Sequence, residues 1–205
     1  INMKSLSEID TVSKRSSRAA GYSWGIAEEV GKNIRLLEIF SLPGIKNLND
    51  FLNKKKNIKL ENPNLITKNN NANNSQYCPI ISGVNFLDQI KTLEKLNEIK
   101  FKNIAYPVLF LPFVSRASEI IGKRILLKLD EKEFLMNFNN CIYSNFFKKE
   151  IIKTAENVSI KILKNEDSFN EHEWRELYKL SEETFVEENE SLKNSGAGAG
   201  LTDND

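Results

Sequence analysis

Histidine is almost missing from this chain: His172 is the single one in 205 residues. Cysteine occurs twice, at Cys78 and Cys141, and never as a Cys-x-x-Cys pair. A structural or catalytic zinc site therefore lacks its ligands. A Ser-His-Asp or Cys-His system would have to use His172. That residue sits between Glu171 and Glu173 at a helix start and reads as solvated surface. Cys78 precedes Pro79 with no basic partner in view, so it reads as a buried structural thiol. No glycine loop runs into Gly-Lys-Ser/Thr, which removes the P-loop. No cofactor and no metal are expected. The most apolar run, residues 104–114, is short and holds Pro107 and Pro112, so no membrane span is expected. No basic-then-apolar leader opens the chain, and Met3 reads as its start. A cytoplasmic protein with reduced thiols is the expectation.

Net charge is nearly absent too, at +1. No overall field points to nucleic acid or membrane. The sign is nevertheless uneven. Residues 1–60 hold 11 Lys/Arg against 6 Asp/Glu, and residues 150–205 hold 6 against 14. The ends can attract each other or a partner, or be two solvated faces. What is abundant is ordinary: 40% hydrophobic and 28% charged residues suit a single core of useful size.

The elements read as follows. Ser5 and Glu8 form a capping box ahead of a helix whose stripe is Leu6, Ile9, Val12, Ser16 and Ala19/Ala20. Gly21 ends it. Ser23 caps a second helix with Trp24, Ala27, Val30/Gly31, Ile34 and Leu37 on one face. A turn at residues 41–44 leads to a third helix over residues 45–52. Small residues (Ala19, Ala20, Gly25, Ala27, Gly31) favour close packing of the first two helices. Residues 53–76 read as an exposed Lys/Asn-rich loop. Residues 77–84 read as a short buried strand, 86–98 as a helix, and 107–121 as a helix closed by Gly122. Residues 124–129 and 133–138 flank a hairpin turn, 146–152 is a helical turn or bulged strand, and 157–163 alternates as a half-buried strand. Residues 170–185 form an amphipathic helix with Trp174 and Leu177/Tyr178 inward. The expected fold is α+β: an N-terminal helical hairpin packed with a small, mostly antiparallel sheet and further helices. It forms one domain over residues 1–190, followed by a Gly/Ala-rich acidic tail over 191–205.

The candidate site starts from charge spacing. Lys14, Arg15 and Arg18 share the C-terminal half of the first helix, where cations also suit the helix dipole. With Trp24 across the short turn they can hold a small anion such as a carboxylate or phosphate. Glu28 and Glu29 follow early in the second helix and are the candidate general bases. Their acidity, on a helix with an apolar face, argues against a DNA-reading helix. The tail offers bare backbone at Gly196, Gly198 and Gly200, then Thr202, Asp203 and Asp205. It is no dinucleotide fingerprint, because an acidic helix precedes it and no helix follows. Its amides can cradle an anion, and its carboxylates can pair with Lys14, Arg15 or Arg18; slack at a chain end is the alternative.

Residues 14–31 with Leu42, Pro43 and Gly44, residues 105–113, and residues 195–205 together resemble an uncharacterised bacterial family, domain of unknown function family 3726. Ser16 and Ser17 depart from it where small alanines are expected, as does the Asn-rich loop. The resemblance implies no activity, but it implies that the tail is more than slack. The expected role is an accessory or binding subunit of bacterial metabolism whose tail completes a polar site or docks on a partner. That partner is a protein or a second copy, and a small anionic ligand is expected at the Arg/Lys cluster. The alternative is a small-molecule enzyme with a Glu general base.

Overall fold

The computed structural model describes residues 3–139 and 141–184. The chain divides into two units, Ile1–Asn165 and Glu166–Asp205, each taken by itself. The tail named above lies outside the described residues.

The first unit begins with three helices: α1 (Leu6–Ala19), α2 (Trp24–Ile39) and α3 (Gly44–Lys54). The Ser5/Glu8 capping box is present, with the Ser5 hydroxyl accepting from the Glu8 N–H and the Glu8 carboxylate accepting from the Ser5 N–H. Ser23 caps α2 by accepting from the Ile26 N–H. Gly21 takes φ 100° in the tight link between them, a conformation that other residues resist. Two strands, β1 (Leu60–Glu61) and β2 (Asn69–Asn71), and a third, β3 (Gln76–Tyr77), follow. Then come α4 (Pro79–Leu93), β4 (Glu98–Ala105), α5 (Leu111–Ile121), β5 (Ile125–Leu129), β6 (Lys132–Met136), β7 (Ile142–Ser144) and β8 (Thr154–Ile162).

The eight described strands form one mixed sheet in the order β1-β3-β4-β8-β5-β6-β7, with β2 beside β3 on the same edge of β4. Pairings among β4, β8, β5, β6 and β7 are antiparallel, and those of β1, β2 and β3 are parallel. Burial alternates along the central strands. Ile99, Phe101, Val158, Ile160 and Leu127 point into the core, while Lys100, Lys102 and Lys161 face water. Helices α4 and α5 cover the buried face, and α2 packs on both of them. The helical hairpin is thus an outer layer on a two-layer α/β core, and the fold is α+β.

Three expectations change here. Residues 53–76 are not a bare loop, because they supply β1 and β2, and Ile66, Asn70 and Ala72 are buried. An Asn-rich strand has no apolar alternation to betray it; its place comes from pairing with β4. Residues 77–84 are not a strand. Pro79 occupies the first turn of α4, where its missing N–H costs nothing. On α1 the apolar stripe is not the buried one: Ser13 and Ser17 are buried, whereas Leu6 is 39% and Val12 58% exposed. Small residues let α1 and α2 approach closely, and Gly31 and Ala27 do this on α2. Gly25 faces open space and Ala19 is exposed, so neither contributes.

The second unit contributes α6 (Glu171–Glu182), capped by an Asn170/Glu173 box. Trp174 stacks on Phe169 at 5.5 Å. Trp174, Leu177 and Tyr178, expected inward, are half-exposed, and no described residue of that unit buries them. His172 is exposed beside Glu176.

Candidate functional site

The turn between α1 and α2 brings four of the six candidate residues on the hairpin together: Lys14, Arg18, Trp24 and Glu28. Lys14, one turn ahead of Arg18 on α1, donates from Nζ to Oε1 of Glu28 at 2.7 Å. Its Nζ also lies 5.8 Å from the centroid of the Trp24 ring. Arg18 covers the same ring, with Cζ 5.5 Å from the centroid. Its guanidinium donates to the Tyr22 carbonyl at 3.1 Å, which fixes it over the indole. Trp24 was expected on the buried face of α2 with Ala27. As the first residue of the helix it lies instead under these two cations, 55% exposed. Arg15 is exposed and does not join the cluster.

Glu29 turns the other way. It pairs with Arg116 of α5 and, at 3.3 Å, with Lys32. Arg116 was not visible as a partner in the sequence, since α5 is remote and only the packing of α2 on α5 brings it near. Glu28 and Glu29 lie beyond the first turn of α2, so the helix dipole does little for them. The hydrogen bond and charge of Lys14 hold the Glu28 carboxyl below its usual range. For Glu29 partial burial pushes upward, but the hydrogen bonds and charges of Arg116 and Lys32 win and its carboxyl is also lowered. A general base works best with an affinity for protons near the working pH. Both carboxylates are tuned away from that, and both have cations on them.

Two further features were missed in the sequence. Asn74, Asn103 and Asp130 all have left-handed φ values, of 57°, 60° and 51°, and all line one cleft of about 820 Å³ at one end of the central strands β4 and β8. Asn and Asp tolerate that conformation best after glycine, which is the one signal they carry. Asp130 is engaged already: its carboxylate accepts from the N–H groups of Glu156 and Asn157 at 3.3 and 2.8 Å. The second feature is Tyr106, buried with φ 44°, whose hydroxyl donates to Asp50 at 2.6 Å. Burial and the Asp50 carboxylate push its phenol up to about 12. Lys54 holds the other oxygen of Asp50 at 2.5 Å. This group ties α3 to the end of β4.

Cys78 is buried, and its sulfur lies 3.4 Å from the Tyr22 hydroxyl, with Lys55 4.2 Å over the Tyr22 ring. Both cysteines are free. Gly196, Gly198, Gly200, Thr202, Asp203 and Asp205 lie outside the described residues, so their part in the expected site has no geometry. No helix among the described residues is long and apolar enough to cross a membrane.

A family model described as protein of unknown function (DUF3726) matches residues 4–77. That span holds the three-helix layer and the strands up to β3, and the match agrees with the resemblance read from residues 14–44. No curated protein and no solved structure matches the chain.

Proposed function

We propose that this protein is an accessory or binding subunit that docks on an acidic protein surface through the tip of its helical hairpin. One observation carries the reading: an exposed Trp24 lies beneath Lys14 and Arg18, with Arg18 anchored to a backbone carbonyl. Trp and Arg dominate binding hot spots, because a large rigid ring and a planar cation lose little freedom when covered. An acidic partner side chain would take the outward donors of Arg18, and an apolar neighbour would cover the indole. The cytoplasm is the proposed compartment, supported by two free cysteines. The acidic tail, residues 191–205, is assigned by the same proposal to a basic surface on the partner.

The enzyme alternative keeps Glu28 or Glu29 as general base. Their paired state and lowered carboxyls speak for the binding reading instead. The test is affinity co-purification of the full chain from its own host, alongside Trp24→Ala and Arg18→Ala. The expected result is a stoichiometric partner held by the wild type and reduced at least tenfold by either variant, each removing more than about 1.4 kcal/mol. Equal recovery by all three proteins contradicts the proposal.

A further inference from the structure

The opposite flank of α1 carries a second surface, independent of Trp24 and Arg18. A groove of about 490 Å³ runs between α1 and α3, with Val12, Ser16 and Ala19 on one wall and Leu48 and Leu52 on the other. It continues past Val12 and Ile45 into a hollow of about 760 Å³ edged by Met3, Leu6 and Ile9. Met3 is 92%, Val12 58%, Leu6 39% and Ile45 38% exposed. Single exposed apolar residues need no explanation, but a contiguous stripe of them along one groove marks an interaction surface.

The charges beside this stripe identify its occupant. Glu8 and Arg15 are both exposed and are seven residues apart, so they lie on one side of α1 about 10 Å apart along the axis. Val12 and Ala19 have the same spacing and form the adjoining stripe. The midpoint between Glu8 and Arg15 falls between Thr11 and Val12. A two-fold axis there lays a second α1 antiparallel on the first. Glu8 of each copy then meets Arg15 of the other, and Val12 lies beside the axis, level with Thr11 of the other copy and next to its Val12. Ser16 and Ala19 are small enough to let the two backbones come close. A surface that is complementary to itself after a two-fold rotation is what an isologous dimer requires. We infer that the α1–α3 groove is a self-association face, and that its occupant is the same groove of a second copy of this chain.

The test is sedimentation velocity of the full chain at low salt, with variants at Glu8, Val12 and Arg15. The wild type is expected at twice its 23.5 kDa mass. Val12→Asp is expected to be monomeric, because it places two carboxylates together beside the axis. Arg15→Glu should weaken the dimer about fivefold, the sum of two exposed ion pairs. Adding Glu8→Lys to Arg15→Glu should restore it by reversing both partners, measured once the helical signal shows that α1 survives the loss of the Ser5/Glu8 capping box. Circular dichroism establishes that each variant is folded, and Val12→Cys should form a disulfide with its own equivalent. A monomeric wild type overturns the inference. So does a dimer indifferent to Val12→Asp, or a folded double variant that fails to recover. None of these changes touches Trp24 or Arg18, so failure here leaves the hairpin-tip reading to its own test.

Discussion

The two flanks of α1 are built from the same fourteen residues and treated in opposite ways. Toward α2, Lys14 pairs with Glu28, Arg18 with the Tyr22 carbonyl and the Trp24 ring, and Gly31 packs against the Asp10 backbone. Along α3, Val12, Ser16 and Ala19 line a groove among the described residues. The difference shows how a short helix can serve the fold with one side and remain available with the other. It also explains why the buried side is the polar-looking one. Close helix contact needs small residues such as Ser13 and Ser17, whereas a surface held for a partner can keep its aliphatic groups.

The comparison can be broken most forcefully on the packed flank. A Cβ at Gly31 would lie 2.5 Å from Asp10 Oδ1 and 2.9 Å from the Asp10 carbonyl oxygen. The carboxylate can rotate away but the backbone cannot. Gly31→Ala is therefore expected to cost about 1–3 kcal/mol by overpacking, read as a lower urea midpoint. Asn33 is buried, and its amide atoms find no protein partner among the described residues. Asn33→Leu, which keeps the number and branching of side-chain heavy atoms, should raise stability by about 1 kcal/mol, measured by thermal unfolding.

Acid titration sharpens the comparison further. The Glu29 carboxyl is lowered from 4.5, so its pairing stabilises the fold above that value. This contribution is lost as pH falls from 4.5 through the lower folded value. Arg116→Ala should remove it, flattening the acid limb of a stability–pH profile while leaving the alkaline limb intact. Tyr106, raised to about 12, shares the alkaline limb with Tyr22 and Tyr77, whose phenols burial also raises; its own contribution is whole below pH 10 and fades as pH climbs through 12. Tyr106→Phe should remove that share and leave the acid limb intact. The smallest effect is expected on the open flank, where Val12→Asp should change monomer stability by no more than about 0.5 kcal/mol. A larger loss would show that the groove is part of the fold.

Local signals with a fixed geometry were legible in the sequence. The capping box at Ser5/Glu8, the Ser23 cap and the αL residue Gly122 follow from hydrogen bonding over three or four residues, whereas the Asn170/Glu173 box was passed over. The hairpin of β5 and β6 was legible too, although its turn is the two residues Asp130 and Glu131 where the strands read over 124–129 and 133–138 left three. Strand β4 has an equally clean alternation, Ile99 and Phe101 against Lys100 and Lys102, and was readable but passed over. Strands β1 to β3 were not readable, because two- and three-residue strands of Asn, Gln and Glu exist only through their neighbours. The same limit applied to the site. Neighbours one helical turn apart, Lys14 and Arg18, could be paired by spacing. Arg116, 87 residues from Glu29, could not.

The hairpin tip is tested most directly by the fluorescence of Trp24 in a Trp174→Phe background, titrated with a glutamate-rich peptide. A saturable change that weakens with added salt and disappears in Arg18→Ala is the predicted result. A flat titration, or one unchanged by Arg18→Ala, would contradict the assignment of this tip to an acidic partner.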